Sequence, residues 1–387
     1  MPISKTRQFF QFALSPFYQS ARIGSRCVSR VMSGFAARFG ARPAFALSMA
    51  ALCVPLAGLI GLCAGRYPLA PEQVALTVLA ALHLHAWPAH GTLLHAVVME
   101  ARLPRLVAAA LIGAALCVSG ATCQAVFRNP LVSPGMLGVL SGAAFGAALA
   151  IVLGGAVVHR LWVEAGAFAG GVAAMAVGVS AAAMLGGEPG EGALARGGIL
   201  ALLLGGLVSN ALFSALVSLL KYVADPLNQL PAIVYWLLGS LAQTGWADLA
   251  WATAPLALGT LLLCLAAPLI DGLTLSDDEA RSLGVPVQAI RFAVMALATL
   301  IAALTVALAG MIGWIGLLVP NLVRPLVGAS NRVVLPMSAL VGAIALMLAD
   351  TCARSVASAE IPLGVITEMG GALAFVFVLR ALRRRAR

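Results

Sequence analysis

Charge is scarce in this chain. Only 10% of its 387 residues are charged, against 61% that are apolar. Soluble domains carry about 25% charged and about 45–50% apolar residues, so a soluble globular protein is excluded. Acidic residues are the scarcer sign, 14 against 24 Lys and Arg, and residues 1–42 hold none. The phosphate-binding order G-x-x-x-x-G-K-[ST] is absent, and the glycine-rich stretch 186–197 follows no strand, so ATP is not bound by such a loop here. No Ser–His–Asp or metal-hydrolase constellation occurs, which leaves no catalytic residue to assign. The seven cysteines (Cys27, Cys53, Cys63, Cys117, Cys123, Cys264 and Cys352) show no C-x-x-C spacing and lie mostly in apolar sequence. They read as inert thiols, with no disulfide and no metal site.

What the chain has instead is a series of apolar runs of about 18–25 residues, the length that crosses a bilayer. They fall near 44–63, 104–126, 135–154, 161–185, 198–220, 247–269, 287–309, 312–328, 334–356 and 364–380. The expected fold class is an all-α polytopic membrane protein of about ten transmembrane helices. The expected domains are a basic extension (1–42), one membrane domain (43–382) and a basic tail (383–387).

Basic residues cluster at both ends: Lys5, Arg7, Arg22, Arg26, Arg30, Arg38 and Arg42, then Arg380, Arg383, Arg384, Arg385 and Arg387. Lys and Arg beside the membrane mark the cytoplasmic side, so both termini are expected inside, as an even number of spans requires. The net charge of +10 is then explained by topology and anionic lipid, without a nucleic-acid partner. Residues 1–42 read as a long cytoplasmic leader or an early start codon; an organellar transit peptide has a similar composition.

Glycine, proline and arginine recur at fixed points inside apolar sequence. The clearest cases are Arg102-Leu-Pro-Arg105 leading to Arg128-Asn129-Pro130-Leu131, and Gly310-Met-Ile-Gly313-Trp314 leading to Pro320-Asn321-Leu-Val-Arg324. In lipid such residues are costly unless buried, paired or facing water, which points to a conduit. An ion-coupled carrier needs charges near mid-membrane. Here most lie near span ends, with Asp350 and Arg354 four apart on one helix. Residues 65–101 read as a long outside loop. Four of the five histidines (His83, His85, His90 and His95) fall there within thirteen residues. They read either as a haem or metal site or as polar punctuation of a short interfacial helix; no nearby ligand set is complete.

Between the spans near 247–269 and 287–309 lies a short, capped helix. Ser276 is the candidate N-cap, Asp278 and Glu279 fill the first turn, Ala280, Arg281 and Leu283 follow, and Gly284 closes before Pro286. A helix so short and so well capped is built to be held in one pose, which suits docking of a cytoplasmic partner.

These stretches occur in one order: Arg102–Arg105, Gly113, Ser119-Gly120, Gln124, Arg128–Leu131, Trp236–Leu241, Glu279–Gly284, Gly310–Arg324, Asp350, Arg354 and Glu360–Thr367. In that order the chain, over about residues 45–380, resembles the FecCD/BtuC-type permease family of bacterial ABC importers. The resemblance implies ten helices in a BtuC-like type II importer fold, a homodimer, two cytoplasmic ATPases holding ATP and Mg, and a periplasmic substrate-binding protein. It implies an inner-membrane location, no cofactor on this chain, and no enzyme activity of its own. Its substrates are iron–siderophore chelates, haem, cobalamin and oxyanions such as molybdate. Carried over by position, Arg102, Arg105 and Arg354 would receive acidic residues of the binding protein. Asn129, Pro130 and Leu131 would form the cytoplasmic gate. Ser276, Asp278, Glu279, Ala280, Arg281, Leu283 and Gly284 would form the ATPase coupling helix. Three departures stand out: Asn321 where the family usually has His, Trp314 where it has Phe, and Gly370-Gly371-Ala372 before Phe375 where it has Gly-Ala-Pro-x-Phe. The mostly apolar path fits a bulky chelate better than a bare ion. The expected cargo is an iron–siderophore chelate, with haem next; the competing class is an ion-coupled secondary transporter.

Overall fold

A computed structural model describes residues 43–81, 83–84, 91–155, 159–185, 198–275, 277–282, 284, 286–357 and 359–385. The described residues form helices without strands: α1 (Pro43–Cys63), α2 (Pro71–Ala81), α3 (Gly91–Val126), α4 (Val139–Gly154), α5 (Arg160–Leu185), α6 (Gly198–Val223) and α7 (Gln229–Leu237). They continue as α8 (Trp246–Leu265), α9 (Ala267–Leu273), α10 (Asp277–Ser282), α11 (Val287–Ala309), α12 (Ile315–Val327), α13 (Asn331–Ser355) and α14 (Leu363–Arg385). Seven are long and apolar enough to cross a bilayer, and apolar stretches of α4, α12 and α14 add three shorter ones. These ten coincide with the ten expected spans.

Two helices sit at the centre. In α3 and α11, 78% and 72% of the apolar window is buried, whereas α1 buries 22% and turns most of its surface outward. Small residues allow the tight packing. A Cβ on Gly120 would run into the Gly316 carbonyl, and one on Gly113 into that of Gly342, so α3 meets α12 and α13 backbone to backbone. Between apolar helices in lipid, such close approach supplies the van der Waals contact that hydrophobicity cannot.

Three boundaries differ from the sequence reading, each for a local reason. Most of the described part of the expected 65–101 loop is helical: α2 and the first turns of α3 bury Leu69, Val74, Leu94 and Val98 in a small core of their own. Within α3, residues Ala96–Arg102 form a π-helical stretch ending just before Pro104. Its wider turns accommodate a residue that has no N–H to donate. The 247–269 run breaks at Ala266 into α8 and α9, with Pro268 in the first turn of α9. The 312–328 span starts only at Ile315, because Gly310–Trp314 is unwound.

Polar contacts define two ends. Residues 61–67, 102–105, 240–248, 309–310 and 350–363 meet at one, called distal here. Residues 128, 271–277, 291 and 330–331 meet at the other, called proximal.

Candidate translocation and coupling sites

At the distal end the chain gathers its buried charges. Asp350 of α13 is fully buried. It accepts from Arg105 Nε at 2.7 Å and from Arg354 Nε at 3.1 Å. Arg105 also reaches Glu360 at 3.0 Å, and Arg354 donates to the Gly61 carbonyl at 3.0 Å. Arg102 donates to the carbonyls of Leu62 and Tyr67. The expectation set these three arginines facing outward to receive a partner's acidic residues. In the single chain each is no more than 7% exposed and already occupied by groups of the chain itself. Bare guanidinium groups at this depth would be costly, and burial in a paired network removes that cost. The sequence showed the Asp350–Arg354 spacing but not Arg105, which is 245 residues from Asp350.

Beside this network three chain breaks meet. Gly239, Gly310 and Trp314 have φ of +70°, +71° and +64°. Ser240 N donates to Ala309 O at 2.8 Å, while Leu363 N and Gly364 N donate to the carbonyls of Gly239 and Leu238 at 3.0 and 3.1 Å. The freed backbone groups at the ends of α7, α11 and α14 thus satisfy one another, the condition for non-helical backbone at membrane depth. A cavity of about 390 Å³ adjoins this junction. It is lined by Arg160, Glu164, Gln229, Ser240 and Gln243 among others, and Arg160 pairs with Glu164 at 2.6 Å and Asp248 at 3.2 Å.

In mid-bundle the two conspicuous sequence stretches come together. Gln124 Nε2 donates to Leu317 O at 3.0 Å, and Arg324 donates to Gln124 Oε1. Asn321 Nδ2 donates to both Pro130 O and Leu317 O at 2.9 Å. Asn321 therefore ties α12 to the turn that follows α3. In that turn Arg128 has φ +50°, and Asn129 Oδ1 accepts from Leu131 N at 2.9 Å, closing an Asx turn. Pro130 and Leu131 are exposed at the proximal end.

Arg128 is the link that the sequence reading lacked. Its Nη2 reaches Asp277 at 2.7 Å and its Nε donates to Leu273 O at 3.1 Å. Arg291 of α11 grips the same carboxylate at 2.9 and 3.1 Å. Partial burial pushes the Asp277 carboxyl up, but hydrogen bonds and charge from Arg291 and Arg128 outweigh it and hold the group below the ordinary carboxylate range. Asp277 opens α10, whose Ala280 is buried while Glu279 and Ser282 are exposed, and Gly284 follows at φ +77°. Ser276 and Leu283 lie outside the described residues, as do His85, His90, residues 1–42 and the 186–197 stretch; for Asp278 and Arg281 only the backbone is described. Of the described histidines in the 83–95 run, His95 lies 3.5 Å from Glu100, and no metal-binding group forms among the described residues.

A lowered carboxyl pKa makes a stabilising contribution that is present above the unfolded value, about 3.9, and is lost as pH falls through the folded value. Amide exchange in residues 274–282 should therefore speed up as pH falls below about 4, once corrected for intrinsic rates. In Asp277→Asn it should be fast at every pH. Equal pH dependence in both would refute the clamp.

Residues 53–381 match the FecCD transport family. The molybdate import system permease protein of Haemophilus influenzae is 37% identical over 334 residues, 86% of this chain and 94% of that protein. The hemin transport system permease protein of Yersinia pestis is 39% identical over 291 residues, 74% of this chain and 83% of that protein. A solved metal-chelate type ABC transporter in an inward-facing conformation shares the fold with TM-score 0.75 and 34% identity, over 86% of this chain and 98% of that one. With ten apolar helices among its described residues, this chain belongs to the FecCD transport family and is an ABC transporter permease.

Proposed function

We propose that two copies of this chain enclose a path across a bacterial inner membrane and import an iron–siderophore chelate. The proximal end and both termini are cytoplasmic, in keeping with the basic chain ends. Two ABC ATPases, holding ATP and Mg, dock on α10, and a periplasmic substrate-binding protein delivers cargo at the distal end. Binding-protein carboxylates that engage Arg105 there must displace Glu360, its more exposed partner.

The observation that carries this reading is the double grip of Arg128 and Arg291 on Asp277. It joins the first residue of α10 to the residue preceding Asn129–Leu131, so that a displacement of α10 pulls directly on the gate turn. Metal-chelate, hemin and iron-chelatin relatives support the chelate as cargo. The high coverage of the molybdate permease supports an oxyanion as the second reading.

Proteoliposomes holding the permease with its ATPase and binding protein should take up a radiolabelled ferric siderophore when ATP is supplied on the ATPase side. Uptake that ignores ATP and follows a proton or sodium gradient would overturn the proposal. Molybdate uptake in place of the chelate would select the second reading. Arg128→Ala should cut ATP-driven uptake at least tenfold. The pair is about one-third exposed, so stability should change by less than about 1 kcal/mol. Undiminished uptake in Arg128→Ala would remove Arg128 from the coupling route.

A further inference from the structure

One carboxylate within the apolar helices has no role in the sites above. Glu368 lies five residues into α14, about 7.5 Å along its axis from Leu363. The apolar stretch of this helix runs from Leu363 to Val376. Glu368 is exposed and makes no hydrogen bond or ion pair within the described residues. Asp350, by contrast, meets two arginines. A carboxylate left unpaired on a face turned to lipid would carry a heavy desolvation cost, so this face of α14 points to water or to another charged group.

Its surroundings have a definite chemistry. Gly313 lies against Glu368: a Cβ built there would stand 3.4 Å from the glutamate Cγ and 3.5 Å from Oε1. The next residue, Trp314, covers Gly371, one turn along α14 from Glu368. The Trp314 ring meets Phe375 edge to face at 5.5 Å. Trp314 is 39% exposed, so the residue stays partly open one turn along α14 from Glu368. A carboxylate one turn from a partly open indole offers a cation two attractions along α14, one by charge and the other by a ring quadrupole. The sequence placed Trp314 among the departures from the family pattern and passed over Glu368.

We propose that Glu368, supported by Trp314, sets the charge preference of the path, favouring cationic cargo such as a chelate that carries an ammonium group and opposing oxyanions such as molybdate. The inference rests on the reading of the chain as a permease, and takes the exposed face of α14 at Glu368 to line its path. Two copies place two such carboxylates in one path, and a dianion passing them meets repulsion in a setting that screens charge poorly.

The test reads path charge without any cargo. Ala372→Cys puts a thiol four residues from Glu368 on the same face of α14, at an exposed position. In the assembled transporter in proteoliposomes, its labelling rates with trimethylammonium and sulfonate methanethiosulfonates are compared. Each rate is corrected for that of a free thiol and for the labelling of the parent chain. The cationic reagent should be favoured at least about tenfold. Adding Glu368→Gln should remove most of that preference, Glu368→Asp should keep it, and Glu368→Lys should reverse it. A ratio unchanged by Glu368→Gln would overturn the proposal, and so would an Ala372→Cys thiol that neither reagent reaches. ATP-driven chelate uptake, measured on the same proteoliposomes, reports separately on the permease reading. Uptake together with an indifferent ratio refutes only the role of Glu368.

Discussion

Asp350→Ala is expected to cost about 3–5 kcal/mol, the largest single loss in the molecule. The carboxylate is completely buried and holds Arg105 and Arg354. Its removal leaves two buried guanidinium groups with only Glu360, the Thr351 hydroxyl and backbone carbonyls to meet them. The unfolding midpoint in lipid nanodiscs should fall by about 4–6 °C, given about 1.2 °C per kcal/mol for a chain this large. Replacing Arg105 and Asp350 together by Met and Leu should recover at least half of the loss, because an apolar pair removes both charges at once. A midpoint unchanged in Asp350→Ala would show that the network contributes nothing to stability.

The second large effect is steric. Gly120→Val should abolish ATP-driven uptake and destabilise the chain by about 1–3 kcal/mol or more. The obstacle is the Gly316 carbonyl, which is backbone and cannot rotate aside as a side chain would. Helices α3 and α12 must then separate, and the bonds from Gln124 to Leu317 O and from Asn321 to Pro130 O cross that same seam. Gly58→Val is the control, since nothing lies within 4 Å of a Cβ at that position. Uptake by Gly120→Val equal to that of Gly58→Val would show that the seam tolerates separation.

The number and placement of the spans were legible because length and hydropathy alone decide what can cross a bilayer. The break before Asn129 and the short helix at Asp277–Ser282 were legible from Pro130 and from capping chemistry. Contacts between distant residues were not. Nothing local to Arg105 announces Asp350, and nothing local to Arg128 announces Asp277, because a single sequence records no pairing across 245 or 149 residues. The arginines took their outward roles from the family resemblance, and apart from the Asp350–Arg354 spacing nothing local to them announces the groups they meet within the chain. The helical nature of 71–81 and 91–102 was obscured by histidine and proline between Ala81 and Gly91, and the satellite core of Val74 and Val98 overrides that punctuation.

The long separation between Arg105 and Asp350 also bears on biosynthesis. Helix α3 leaves the ribosome 245 residues ahead of its counterion. Arg102 finds its carbonyls on residues already made, Leu62 and Tyr67; until α13 arrives, Arg105 must stay at the interface, where a long side chain can hold its charge in headgroup water. The distal network therefore closes only after most of the chain has been inserted. A polypeptide truncated before Asp350 should be retained by the insertion machinery or degraded, which makes this ion cluster a checkpoint on completed synthesis.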